Sequence, residues 1–229
     1  MQGTRAWPIV AAALCLALPA AGADPQPISQ AETLLFMTPH LKDVATPSRL
    51  HYAFRKSGTL EQGFSDSVDV DITGQPDGSK KGAVRFFSGT RQIPYPEVEH
   101  AEGNPVLLFY LEREIREMAR LTGGAPNHFR QRIRSALAES AQIESVDIRV
   151  GDQKITAQRI TISPYGSDPN RDRFQNQRLA TKQYVFTLSQ KIPGLVYQMR
   201  GHVPVAADVT TDAGVLDETL TFESAGAPK

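Results

Sequence analysis

The sequence predicts an α+β protein: one mainly antiparallel, curved β-sheet, a half-barrel, with an inserted helical hairpin packed on its concave face. Three observations carry this. In about eight short stretches between Leu50 and Ser224, apolar residues alternate with polar ones, the period of a strand that buries one face. One segment, "NPVLLFYLEREIREMARLTGG" at 104–124, instead spaces its apolar residues by three and four, the period of a helix. No internal repeat and no domain linker divides the chain, so a helix with an apolar stripe has only the sheet to bury it against.

The elements follow in order. In "SQAETLLFM", Ser29 stands three residues before Glu32 and ahead of an apolar run, a capping box that starts a short helix ending before Pro39. "LHYAF" places Leu50, Tyr52 and Phe54 in alternation, and "VDVDI" sets Val68, Val70 and Ile72 against Asp69 and Asp71. Pro76-Asp77-Gly78 turns the chain into a third strand, "AVRFFSG", because these residues favour turn backbone. A Pro-containing loop, "RQIPYPEVEHAEG", leads to the long helix. Asn104 caps it, Pro105 takes the first helical position and Gly123-Gly124 supplies the left-handed stop. Its expected stripe is Leu108, Leu111, Ile115, Met118 and Thr122. After Pro126 a shorter helix aligns Phe129, Ile133, Ala136 and Leu137. "SVDIRVGDQKITAQRITIS" is the strongest hairpin signal, with a two-residue Gly151-Asp152 turn. In its second arm the apolar residues move from odd to even positions after Ala157, which predicts a bulge or a face shared with the helices. "QYVFTLS", "LVYQMRGHV" and "DETLTFES" complete the sheet.

The first residues bear on location. Arg5 is the only charge before Asp24, an apolar run spans Ile9 to Leu18, and Ala21-Gly22-Ala23 ends the segment. That is the pattern of a secretory signal peptide, with cleavage expected after Ala23 and a periplasmic destination. The run is too short to span a bilayer, which takes roughly 20 apolar residues. Cleavage leaves residues 24–229 as one β-rich domain with its helical hairpin at about 105–140. It also removes Cys15 and Trp7, the only Cys and Trp, so the mature chain can form no disulfide and no thiolate site. With 25 basic and 25 acidic residues in all, removal of Arg5 leaves one acidic charge in excess. Nothing in that balance favours nucleic acid.

No catalytic motif is present, and a non-catalytic protein without cofactor is expected. The five histidines, His40, His51, His100, His128 and His202, show no paired metal-ligand spacing, so no metal is expected. "DVDITGQPDGSK" begins like a calcium loop but ends on Lys80 where a bidentate Glu is required. "DPNRDR" has Arg173 in place of the turn glycine. Candidate ligand-binding positions are therefore apolar or basic. Leu108, Leu111, Ile115 and Met118 face any cavity under the long helix. Arg130 and Arg134 share a face of the second helix and suit a phosphate or carboxylate. Tyr165, Phe174 and Tyr197 stand in or beside loops that could line a cavity mouth.

The signal segment, the first strand "LHYAFRKSG", the meander with its inserted helix, and "LSQKIPG" together resemble the periplasmic lipoprotein carriers and their relatives. The resemblance covers roughly residues 48–224 and lies in element order; the chain equally resembles uncharacterised bacterial envelope proteins. It implies a half-open barrel closed by helices around an apolar cavity, with a lipid or lipidated protein as partner. The alternative is a structural or interaction protein with a filled interior. Cavity volume separates the two.

Overall fold

The computed structural model describes residues 27–204 and 214–228. The signal segment and the expected cleavage point after Ala23 lie outside the described residues. Eight strands form a single antiparallel sheet in the order β3-β2-β1-β8-β7-β6-β5-β4. They are β1 (Ser48–Ser57), β2 (Phe64–Gly74), β3 (Lys80–Phe86), β4 (Gln142–Val150), β5 (Gln153–Ile162), β6 (Gln183–Leu188), β7 (Val196–Val203) and β8 (Leu216–Gly226). The sheet is curved and not closed, the expected α+β half-barrel. Between β3 and β4 come α2 (Pro105–Thr122) and α3 (Pro126–Glu139). The N-terminal α1 (Gln30–Glu32) continues as a π turn, Thr33–Met37.

Local signals hold at the helix ends. Ser29 and Glu32 form both halves of the capping box. The Asn104 side chain accepts from the Val106 amide, and Gly123 closes α2 with φ 75°, a left-handed conformation that costs glycine little. Alternation puts Leu50, Tyr52 and Phe54 of β1 with Val68, Val70 and Ile72 of β2 on one buried face. The opposite face carries an ion ladder in which Asp69 and Asp71 meet His51, Arg49 and Arg85. His51 is half exposed and bonded to Asp69 at 2.6 Å.

Two expectations need correction. Leu108 is 57% exposed, although Leu111, Ile115 and Met118 are buried. The helix is buried on most of its circumference, and its water-facing line is Leu108, Glu112, Arg116 and Arg120. These residues are four apart, so the step that selected Leu108 for burial also leads away from the core. Glu112 and Arg116 form an i, i+4 ion pair on that line, at 3.4 Å. Second, β5 contains no bulge, because its pairing with β4 and β6 keeps register throughout. Ile160 and Ile162 belong to the buried face. Ile155 and Ala157 lie on the hairpin end beyond Gln158, where the pairing with β6 stops.

The two sheet edges differ. Beside β3, the segment 93–98 makes bridges at Phe86–Ile93 and Gly82–Val98, and its Pro94 and Pro96 discourage further pairing. The outer edge of β4 pairs with no other strand among the described residues.

Candidate functional site

The space between helices and sheet is filled by side chains, and at its centre they are charged. The register aligns Lys56 of β1, Glu218 of β8, Gly201 of β7 and Tyr184 of β6 in one row across the buried face. Above this row α2 sets Arg113 and Glu114. Arg113 donates to Glu114 at 2.6 Å and to Glu218 at 2.8 Å, and its guanidinium lies 4.9 Å from the Phe54 ring. Lys182 donates to Glu114 at 2.5 Å and lies 3.4 Å from Glu218. Lys182, Glu114 and Glu218 are wholly buried, and two cations balance two carboxylates. Gly201 makes the space: a Cβ there would lie 3.0 Å from Glu114 Oε2 and 3.1 Å from Lys182 Cε. From this centre the network runs outward through Lys56 to Glu61 at 2.7 Å, and Arg120 grips Glu61 with both terminal nitrogens at 2.8 Å.

These contacts set the ionisation of the carboxylates. Burial raises Glu114 against the pull of Lys182. Burial would raise Glu218 too, but Lys182 and Arg113 overcome it and hold the carboxyl well below its usual range. The Arg120 hydrogen bonds hold Glu61 down at about 2. A carboxylate with a depressed folded pKa contributes stability above its unfolded pKa and loses it as pH falls. Glu114 acts in the opposite sense, but Glu61, Glu218, Asp66 and Asp69 are all lowered. The melting temperature is therefore expected to hold between about pH 7 and 5 and to fall below that, with Glu61 alone supplying roughly 1 kcal/mol after allowance for solvent screening. A melting curve by circular dichroism at pH 7, 5 and 3 checks this. An unchanged midpoint at pH 3 would contradict it.

Open clefts lie against α3, at the α2–α3 turn and at one end of the sheet, the last being the most apolar of those described. A cleft of about 500 Å3 is lined by Leu34 from the π turn, Ile155 and Ala157 of the β5 end, Leu188, and Leu195 of the β6–β7 turn. Phe36 and Met37, two and three residues after Leu34 in the same turn, are 42% and 60% exposed. A second cleft of about 430 Å3 adjoins it and shares Thr38, Gln190, Lys191 and Leu195.

Asn104 builds both sides of this mouth. Its Nδ2 donates to the Tyr52 hydroxyl at 2.9 Å and to the Gly194 carbonyl at 3.0 Å. Its amide donates to His40 Nδ1 at 3.1 Å, so the other ring nitrogen of His40 donates to the Leu34 carbonyl at 2.8 Å. Burial lowers the His40 pKa, consistent with that neutral ring. Lys80 Nζ donates to the carbonyls of Leu41, Lys42 and Val44, fixing the segment below. On the far side Leu195 has φ 60°, a conformation unusual for a bulky residue. It is held there by hydrogen bonds to Ile192 and Ser189.

The nine positions chosen from sequence are dispersed. Leu111, Ile115 and Met118 pack in the helix–sheet interior, and Leu108 faces water. Arg130 is bonded to Glu112 at 2.9 Å. Arg134 is exposed and borders a separate cleft with Ile28 and Glu32. Tyr165 and Phe174 are buried beside Phe129; the Tyr165 hydroxyl meets that of Tyr184 at 3.1 Å, and Phe174 borders a separate cleft of about 360 Å3 with His128 and Arg173. Tyr197 is half-buried and donates to the Arg149 carbonyl at 3.3 Å. None of the nine lines the 500 Å3 cleft. His128 bonds Asp168 at 2.6 Å, tying the 163–182 loop to α3. Sequence reading missed the ion cluster, yet part of its signal was present. Lys56 continues the inward phase of Leu50, Tyr52 and Phe54, and Glu218 stands between Leu216 and Leu220 in the same phase.

No protein-family model matches this sequence, and no curated protein matches it. Among solved structures, the chain is similar to Pseudomonas aeruginosa MucB in its complex with MucA, at 14% identity over 83% of this chain, with a TM-score of 0.34. It spans 56% of that longer chain. The Mycobacterium tuberculosis lipoprotein LppX matches at 10% identity over 79% of this chain and 87% of its own, with a TM-score of 0.32. A LolA superfamily protein of Nitrosomonas europaea matches at 8% identity over 87% and 94%, with a TM-score of 0.23. These are weak resemblances. No helix among the described residues is long and apolar enough to cross a membrane.

Proposed function

We propose that this is a non-catalytic binding or carrier protein of the bacterial periplasm that holds an apolar ligand, a lipid or the acylated part of a lipidated partner, in the cleft between the π turn and the β6–β7 turn. The observation that carries the reading is the cleft itself. About 500 Å3 lined by Leu34, Ile155, Ala157, Leu188 and Leu195 lies within the range of small-molecule sites. Each methylene withdrawn from water there contributes up to about 0.8 kcal/mol, less where the site stays open.

A neutral apolar fluorophore, N-phenyl-1-naphthylamine, tests this. Wild-type protein should take it up with enhanced emission, and Leu34→Asp should weaken uptake by about tenfold or more, because an unpaired carboxylate then borders the apolar wall. No uptake by wild type would overturn the reading. The periplasmic part rests on the first 23 residues, and N-terminal sequencing of exported material should begin at Asp24. A full-length chain retained in the membrane fraction would exclude it. The filled helix–sheet interior and the unpaired edge of β4 favour a second reading, an interaction protein of the envelope. Absence of co-purifying lipid in native mass spectra, together with no uptake of the fluorophore, would select it.

A further inference from the structure

The two adjoining clefts differ in charge, and the difference specifies a ligand class. The first has an apolar floor with Lys154 and Lys191 at its margin. The second is lined by Lys42, Asp43 and Lys191 between Pro39 and Pro193. Three lysines thus face one carboxylate around the joined groove. Lys154 is partly neutralised by Asp147 at 2.8 Å. Lys42 and Lys191 are exposed, and neither is in an ion pair among the described residues. Thr38, Gln190 and Leu195 mark the boundary that a ligand spanning both clefts would cross.

The boundary is rigid. Leu195 is fixed in left-handed backbone next to Gly194, whose own φ is 72°. A Cβ on Gly194 would meet Asn104 Nδ2 at 2.8 Å and Leu50 Cδ1 at 2.6 Å. Asn104 and His40 fix the opposite wall. A preformed groove of this kind binds without first ordering its own walls. At about 30 Å3 of liquid volume per water-sized group, the apolar cleft of about 500 Å3 has room for on the order of fifteen methylene-sized groups, about the volume of one acyl chain.

We infer that the joined groove binds a single-chain amphiphile with an anionic head, its tail in the apolar cleft and its head between Lys42 and Lys191. This rests on the proposed binding function and adds its ligand class. The ammonium groups are compact point charges that tolerate a carboxylate or a phosphate head alike, so the charge of the head rather than its shape is what the groove selects.

Myristate and monomyristoylglycerol share a tail and differ in head charge. Titration calorimetry of the full mature chain at low salt, below the aggregation concentration of either probe, should show myristate binding roughly tenfold tighter. Lys42→Gln with Lys191→Gln should remove that preference, the two probes then binding the variant equally, and should leave its melting temperature near that of wild type, because exposed lysines contribute little to folding. Leu34→Asp should weaken both probes. Equal affinity of the two probes in wild type, or a preference that survives the double lysine substitution, would overturn the inference and leave the proposed function standing. Binding of an acylated peptide without binding of free myristate would overturn it in the same way. If the wild type takes up neither probe nor the neutral fluorophore, the proposed function fails with it.

Discussion

Lys182→Met is expected to destabilise the protein by about 3–5 kcal/mol, the usual cost of removing one partner from a buried ion pair. The substitution keeps the length of the side chain and removes its charge. Glu114 and Glu218, both wholly buried, would then face each other with Arg113 as their main cation, since Lys56 reaches Glu218 only at 3.4 Å. At about 2–4 °C per kcal/mol for a domain of this size, the melting temperature should fall by roughly 10 °C. Replacing both partners separates charge from packing. Lys182→Met with Glu114→Leu leaves the Arg113–Glu218 bond at 2.8 Å intact and removes one charge of each sign. The double variant should recover most of the loss, since well-packed apolar replacements of buried pairs are often neutral. The resulting coupling, on the order of 2 kcal/mol or more, is what a double-mutant cycle measures. A single variant within about 1 kcal/mol of wild type would mean that water reaches this centre.

Phe129→Ala is expected to cost about 3–5 kcal/mol, as large aromatic truncations in closed cores do. Phe129 is fully buried and holds three elements together. Its ring meets Tyr165 edge-on at 5.6 Å and Phe174 at 6.0 Å, both in the 163–182 loop. It also closes over the α2–α3 turn, where a Cβ on Gly124 would lie 2.7 Å from the ring. Losing the ring should free the loop before the sheet. Trypsin should then cut first at Arg171 or Arg173, which lie in a short 3-10 turn between the buried Tyr165 and Leu179. His128–Asp168 and the Arg132 bonds to Pro164 and Ser167 would remain, but hydrogen bonds worth about 0.5–1.5 kcal/mol net each contribute less than the buried ring. First cleavage elsewhere in the chain would show that the loop is anchored by those polar contacts instead.

Both predictions concern residues whose importance was unevenly legible. Phe129 stood on a helical stripe with Ile133, Ala136 and Leu137, and all four are buried. Lys182 sat between a polar loop and a strand, in "ATKQYVF", with nothing local to mark it as buried. The cleft was less legible still. Leu34, Ile155, Leu188 and Leu195 belong to four separated segments. Tyr165 and Phe174, chosen because loop aromatics often line mouths, pack inward because the loop folds back onto α3.

What the sequence alone determined was everything that depends on neighbours in the chain. The capping box at Ser29 and Glu32, the Asn104–Pro105 start and Gly123 stop of α2, the Gly151-Asp152 turn and the alternation within each strand are all short-range. Each is written in consecutive residues because hydrogen bonding and backbone sterics act over three or four positions. The export signal proposed for the first 23 residues rests on the same kind of information, the charge and apolar length of one segment. The tertiary structure decided which buried faces meet. Strand order places β8 between β1 and β7, and only that order brings Glu218 beside Lys56 and opposite Gly201. Gly201 then leaves the volume into which Glu114 and Lys182 fit. The helix stripe alone could not show that charged side chains would occupy the interior, because charges can be buried there only when partners from distant strands neutralise them.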